Sequence, residues 1–133
     1  MKKREASFQI LFKHWVLAQP KPECSQAWEL KRTTKESIAF NAVVERQVQT
    51  LLQVEGRGSY YKIPDDSIGY KPYDCELVIG HGWVVIAFGE RITEFFMIRV
   101  NDWLHEKEIS ERKSITRERA REIGMTIAVG KRD

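Results

Sequence analysis

The stretch AWELKRTTKESIAF, Ala27 to Phe40, decides how the chain is read. Side chains alternate across a strand, so Trp28 and Leu30 share one face while Glu29 and Lys31 share the other. One face suits a core. The opposite face carries a carboxylate and an ammonium side by side, which must either meet solvent or line a cleft. Beyond it the chain passes through small polar residues into Phe40, Val43, Val44, Val48, Leu51 and Leu52. Their spacing predicts a helix from Ser37 to Val54.

Upstream, Phe8, Leu11, Phe12 and Trp15 recur at helical spacing and predict a helix over Lys3 to Ala18, ended by Pro20-Lys21-Pro22. Ala27 to Arg32 is the strand between the two helices. Downstream, a strand is expected over Tyr60 to Ile63 and a turn-rich loop over Pro64 to Lys71. Two strands follow, Tyr73 to Ile79 and Trp83 to Phe88, joined by a tight Gly80-His81-Gly82 connection. The run WVVIAF is apolar on both faces, as a strand covered on both sides requires. Glu94 to Val100 reads as a further strand, followed by a helical turn at Asn101 to His105. Thr116 is the expected N-cap of a last helix that stops near Gly124. Helices flanking a mixed sheet make an α/β or α+β domain, and residues 1–133 are expected to form one such domain.

With 42% hydrophobic and 31% charged residues, the composition is that of a soluble globular protein. No apolar run approaches the ~20 residues that cross a bilayer. The opening MKKREASFQILFKHW breaks into charge too early for a secretion signal, so a cytoplasmic location is expected. Cys24 and Cys75 lie far apart without C-x-x-C spacing, which argues for reduced thiols. A net charge of +3 permits an acidic partner such as DNA without demanding one. Basic residues gather at Lys2, Lys3 and Arg4, at Arg32 and Lys35, and at Arg112, Lys113, Arg117, Arg119 and Arg121.

Polar residues intrude where apolar ones are expected. Glu5 lies beside the apolar stripe of the first helix, and Gln47 continues the line Phe40, Val44, Gln47, Leu51 in the second. Asp74 opens a strand after a loop, with Glu76 on the same face. A buried polar group without a partner costs about 1–3 kcal/mol, so intrusions in neighbouring elements point to one shared polar site. Two carboxylates meeting from adjacent strands would make an oxygen-rich site for a hard cation such as Mg²⁺. Such an ion polarises a phosphodiester, and a neighbouring lysine stabilises the negative charge that develops. Each residue also has a plain structural use: an exposed strand face for Glu29 and Lys31, a helix N-terminus for Glu5, a turn for Asp74. His14, His81 and His105 show no metal-ligand spacing.

Taken in order, a helix with an early glutamate, a strand ending in E-x-K and a helix carrying an inward glutamine resemble the PD-(D/E)xK nuclease superfamily. Within it, ELKRTTKESIAFNAVVERQ is similar to the RecU-type Holliday junction resolvases, with Glu29, Lys31, Thr33, Ser37, Phe40 and Gln47 in comparable places. Arg46 stands where those proteins carry a histidine. ERKSITRERAREIG resembles their late R-K-S-I segment and the helix after it. The likeness spans about half of the chain, mainly Trp28 to Gln53 and Glu111 to Ile127, and there is a looser likeness to short phage and prophage resolvase-like proteins.

The resemblance implies a restriction-endonuclease-like fold, with a central mixed sheet flanked by helices. It also implies a Mg²⁺- or Mn²⁺-dependent endonuclease acting as a homodimer on branched DNA. Glu29 and the Leu30 carbonyl would hold the metal, Lys31 would assist the attacking water, Gln47 would orient Lys31 or the phosphate, and Glu5 would complete the shell through a water. One departure stands out. The family's aspartate precedes the E-x-K strand, whereas KPECSQA has none, so the acidic ligand is expected to have moved to Asp74. That geometry requires the Asp74 strand to lie next to the Glu29 strand. Lys2, Lys3, Arg4, Arg32, Lys35, Arg112 and Lys113 would contact phosphates. The alternatives are a related nuclease acting on flaps or plain duplex, a DNA-binding recombination accessory protein without catalysis, and an unrelated α+β interaction domain.

Overall fold

A helical apolar stripe together with an extended run that is apolar on both faces needs a covering layer on each side of a sheet. The computed structural model has this arrangement, and it describes residues 3–20, 24–57, 59–62, 75–78 and 80–129, with side chains for 7–20, 24, 26–55 and 80–129. In chain order the elements are α1 (Lys3–Ala18), β1 (Ser25–Arg32), β2 (Ser37–Ala39), a 3-10 turn (Phe40–Ala42), α2 (Glu45–Leu52) and a π turn (Gln53–Arg57). There follow β3 (Ser59–Lys62), β4 (Cys75–Val78), β5 (Gly80–Ala87), β6 (Glu94–Arg99), α3 (Val100–Ile109), β7 (Ser114–Thr116), α4 (Arg117–Ile123) and β8 (Met125–Ala128). Among the described residues the main sheet has four strands in the order β1-β5-β6-β8. β1 runs parallel to β5 and the other neighbours are antiparallel, so the sheet is mixed. β2 pairs with β7, and β3 with β4.

The register sorts the side chains into two cores. Glu29 lies beside Val84 and Lys31 beside Ile86. Val84, Ile86, Phe96 and Ile98 face α2 and α3, packing with Phe40, Val48, Leu51 and Trp103. Trp28 and Leu30 lie on the other face, which α1 covers with Phe8 and Phe12 against Val85, Phe95 and Met97. Val84 to Phe88 are fully buried, as expected of a strand covered on both sides. No helix among the described residues is long and apolar enough to cross a membrane.

Several boundaries differ from the expected ones for tertiary reasons. Ser37 to Ala39 is a strand rather than the start of a helix, because it pairs with Ser114 to Thr116 far along the chain. The helix proper begins at Glu45, and Val44, placed in the apolar stripe by its spacing, is its exposed N-cap residue. Gly80-His81-Gly82 is no turn: it is the start of β5, paired with Ser25 to Ala27. The short helical turn after β6 is a ten-residue helix, α3. Thr116 caps α4 as expected, its Oγ1 accepting the Arg119 N–H at 3.2 Å, and Gly124 is the C-cap residue.

Gly82 owes its identity to close approach. A Cβ there would lie 2.5 Å from the Leu51 carbonyl oxygen and 2.9 Å from Leu51 Cβ. Gly82→Ala must therefore push the end of α2 off the sheet. The expected loss is ~1–3 kcal/mol, read from the urea midpoint at unchanged slope.

Candidate active site

The polar side chains of β1 and α2 meet. Gln47 Nε2 donates to Glu29 Oε1 at 2.8 Å, and Lys31 Nζ stands 3.5 Å from the same oxygen. Gln47 Oε1 accepts the Val44 N–H at 3.0 Å. Val44, the aliphatic N-cap residue, has no side-chain acceptor for the first N–H groups of α2, and the Gln47 oxygen satisfies the N–H of Val44 itself, the reciprocal half of a capping box. With that oxygen committed to the backbone, the amide nitrogen faces Glu29. One side chain thus caps α2 and fixes the carboxylate of β1.

Glu29 and Lys31 are partly buried, with 28% and 18% of their side chains exposed. Glu29 Oε2 has no partner among the described residues. The backbone contributes too. Thr33 donates its N–H to Ala87 O, so the odd-numbered residues of β1 turn their amide groups toward β5. The even-numbered ones, Leu30 included, turn theirs outward, along the side of β1 that carries no strand among the described residues. A carboxylate oxygen and an outward carbonyl are hard donors that suit Mg²⁺ or Mn²⁺. Among the described residues no group of three or more His, Cys, Asp or Glu converges.

Asp74 lies outside the described residues. The strand that follows it, β4, is paired with β3, while the neighbour of β1 is β5. Glu5 belongs to α1, which covers the Trp28 and Leu30 face of the sheet, and its side chain lies outside the description, as do those of Lys3 and Arg4. Lys2 is likewise outside.

The basic residues divide by what they touch. Lys35, Arg112 and Lys113 are exposed, and none has an ion pair among the described residues. Arg32 is used internally: Nη1 donates to Thr33 O at 2.5 Å and Nη2 to Glu90 O at 3.2 Å, tying the end of β1 to the turn after β5. The arginines of α4 are paired. Arg117 meets Glu94 and Glu36, and Arg121 meets Glu94. Arg119 binds Glu106 and Glu122, and its hydrogen bond with Glu106 raises the guanidinium pKa above its ordinary value. The α4 part of the late basic cluster is therefore neutralised within the fold, whereas Arg112 and Lys113 are not.

A second polar cluster escaped the sequence reading. Glu55, whose side chain is 7% exposed, takes two hydrogen-bonding nitrogens of Arg99 and also accepts the Gly82 N–H at 2.7 Å. That N–H is left over because β6 gives way to α3 after Arg99, which ends the ladder beside Gly82. His81 Nδ1 stands 3.6 Å from Glu55, and the Arg99 guanidinium lies over Trp83 at 5.3 Å. No spacing links these residues in sequence, since they come from three elements. The chain matches no protein-family model, no curated protein and no solved structure. What the site can do must be read from its own groups.

Proposed function

We propose that the chain is a metal-dependent DNA endonuclease, a Holliday junction resolvase that cuts branched DNA as a homodimer. The observation that carries this reading is the convergence of Glu29, Lys31 and Gln47 on the outer strand of the sheet. A Mg²⁺ or Mn²⁺ ion held by Glu29 and the Leu30 carbonyl, with Asp74 as the proposed further ligand, supplies Lewis-acid polarisation of the phosphate and a more acidic water. Lys31 places an ammonium where phosphoryl oxygens gain negative charge. Gln47 prevents Glu29 from rotating, and Glu5 is assigned to the outer shell. Lys35, Arg112 and Lys113, together with Lys2, Lys3 and Arg4, hold phosphates in a salt-sensitive manner, while Arg32 stiffens the strand they flank. Selectivity for a junction would come from dimer shape and backbone contacts, and two-fold symmetry suits paired incisions. A cytoplasmic location is part of the same proposal.

The test is cleavage of a labelled four-way junction beside linear duplex, with Mg²⁺ and with chelator. Metal-dependent cutting of the junction in preference to duplex is the expected result. Equal cutting of both would make the chain a general nuclease of the same superfamily. Binding without cutting would make it a recombination accessory protein.

Gln47→Glu separates the two duties of that residue. The variant keeps an oxygen for the Val44 N–H but sets a second carboxylate against Glu29 in place of a donor. Cleavage should fall ~10- to 100-fold with little change in melting temperature, because a partner that orients a ligand has been lost while the helix cap remains.

A further inference from the structure

We infer that β1 carries a second binding site on its other face, a pocket for a single planar aromatic ring, and that in the DNA complex this ring is an unstacked base. A cavity of about 150 Å³ opens between the last turns of α1 and the sheet, lined by Trp15, Val16, Gln19, Gln26, Trp28 and Met97. An apolar cavity of that size holds one aromatic ring. Two indoles in its wall offer surfaces on which any base can stack.

The walls are braced. Trp15 packs edge-on against Phe95, with centroids 5.5 Å apart, and Trp28 against Phe12 at 5.5 Å. Gln26 Oε1 accepts the Trp83 indole N–H at 2.6 Å, so that amide is held as well. One polar group remains for a heterocycle. Gln19 Nε2 donates to Trp15 O at 3.2 Å, which leaves Gln19 Oε1 as an acceptor at the exposed rim. The Trp28 indole N–H is buried away from any accessible surface, so Trp28 offers a ligand apolar contact rather than a donor.

Position ties the pocket to the first site. Trp28 and Glu29 are consecutive residues whose side chains leave opposite faces of the same outer strand. A strand of DNA passing around that edge can set a phosphate at Glu29 and Lys31 and turn a neighbouring base toward Trp15 and Trp28. Assigning the ring to a DNA base rests on the nuclease reading, whereas the pocket's affinity for a free ring does not.

The test uses the full chain in metal-free buffer. One probe is free deoxyadenosine, followed by tryptophan fluorescence; the other is a single-stranded oligonucleotide carrying one adenine analogue whose fluorescence is quenched by stacking. The wild-type chain should bind the nucleoside and quench the analogue. Val16→Phe, which fills the cavity, should weaken nucleoside binding roughly tenfold and abolish the quench. Trp15→Leu, which removes one stacking wall without adding bulk, should do the same. Unchanged binding and quenching in a folded variant, or no nucleoside binding by the wild type, overturns the pocket. Nucleoside binding without quenching in DNA overturns the base assignment. Junction cleavage with Mg²⁺, measured in parallel, keeps the two readings separate: lost cleavage with intact nucleoside binding sinks only the nuclease, and the reverse sinks only the pocket.

Discussion

Glu29→Ala is expected to lower metal-dependent cleavage by ~10²- to 10³-fold, the scale of losing one group on which the stabilisation of transition-state charge depends, here through the metal that Glu29 is proposed to hold. The loss should fall on kcat, because substrate would still be held by the exposed lysines and Arg112. Stability should change by less than ~1 kcal/mol: Glu29 is partly exposed, and both of its partners can reach water once it is gone. Gln47 would keep its bond to Val44 and so retain the helix cap. Steady-state cleavage kinetics beside a urea melt check both halves of this result. A variant that cuts at the wild-type rate removes Glu29 from the chemistry.

Trp103→Ala should be the most damaging single truncation for the fold, at ~3–5 kcal/mol. The side chain is fully buried and meets Phe40 edge-on, with ring centroids 5.2 Å apart. Phe40 begins the turn that delivers Val43, Val44 and then Gln47, so the cavity would form beneath the segment that positions the amide. Cleavage should fall along with stability. Trp103→Phe is the control: the indole N–H is buried without a partner among the described residues, so phenylalanine gives up volume but no hydrogen bond. Its cost should be well under half that of alanine, as read by calorimetric melting of the three proteins side by side.

Local pattern made much of this legible from sequence. The spacing of Phe8, Phe12 and Trp15 set the bounds of α1, and the alternation of Trp28, Glu29, Leu30 and Lys31 sorted β1 onto two faces. Gln47 drew attention as an amide on an apolar line, and it is bonded to the suspected carboxylate. What stayed hidden depends on partners distant in the chain. Ser37 to Ala39 looked helical because nothing nearby announces Ser114 to Thr116 as its strand partner. Gly80-His81-Gly82 looked like a turn because glycine marks turns, yet Gly82 is there to admit Leu51. The α4 arginines looked like a basic surface because their carboxylates lie up to 81 positions away. Glu55 gave no signal, since its partners Gly82 and Arg99 come from the start of one strand and the end of another.

The central claim is that a divalent cation binds at Glu29, beside Gln47 and the outward carbonyl of Leu30. The most direct measurement is a Mn²⁺ titration of the isotope-labelled chain by NMR, following paramagnetic broadening at substoichiometric metal. The Gln47 side-chain amide and the backbone amides flanking Leu30 should broaden first, and the effect should vanish in Glu29→Ala. Broadening that begins elsewhere, or that survives in Glu29→Ala, would contradict the account.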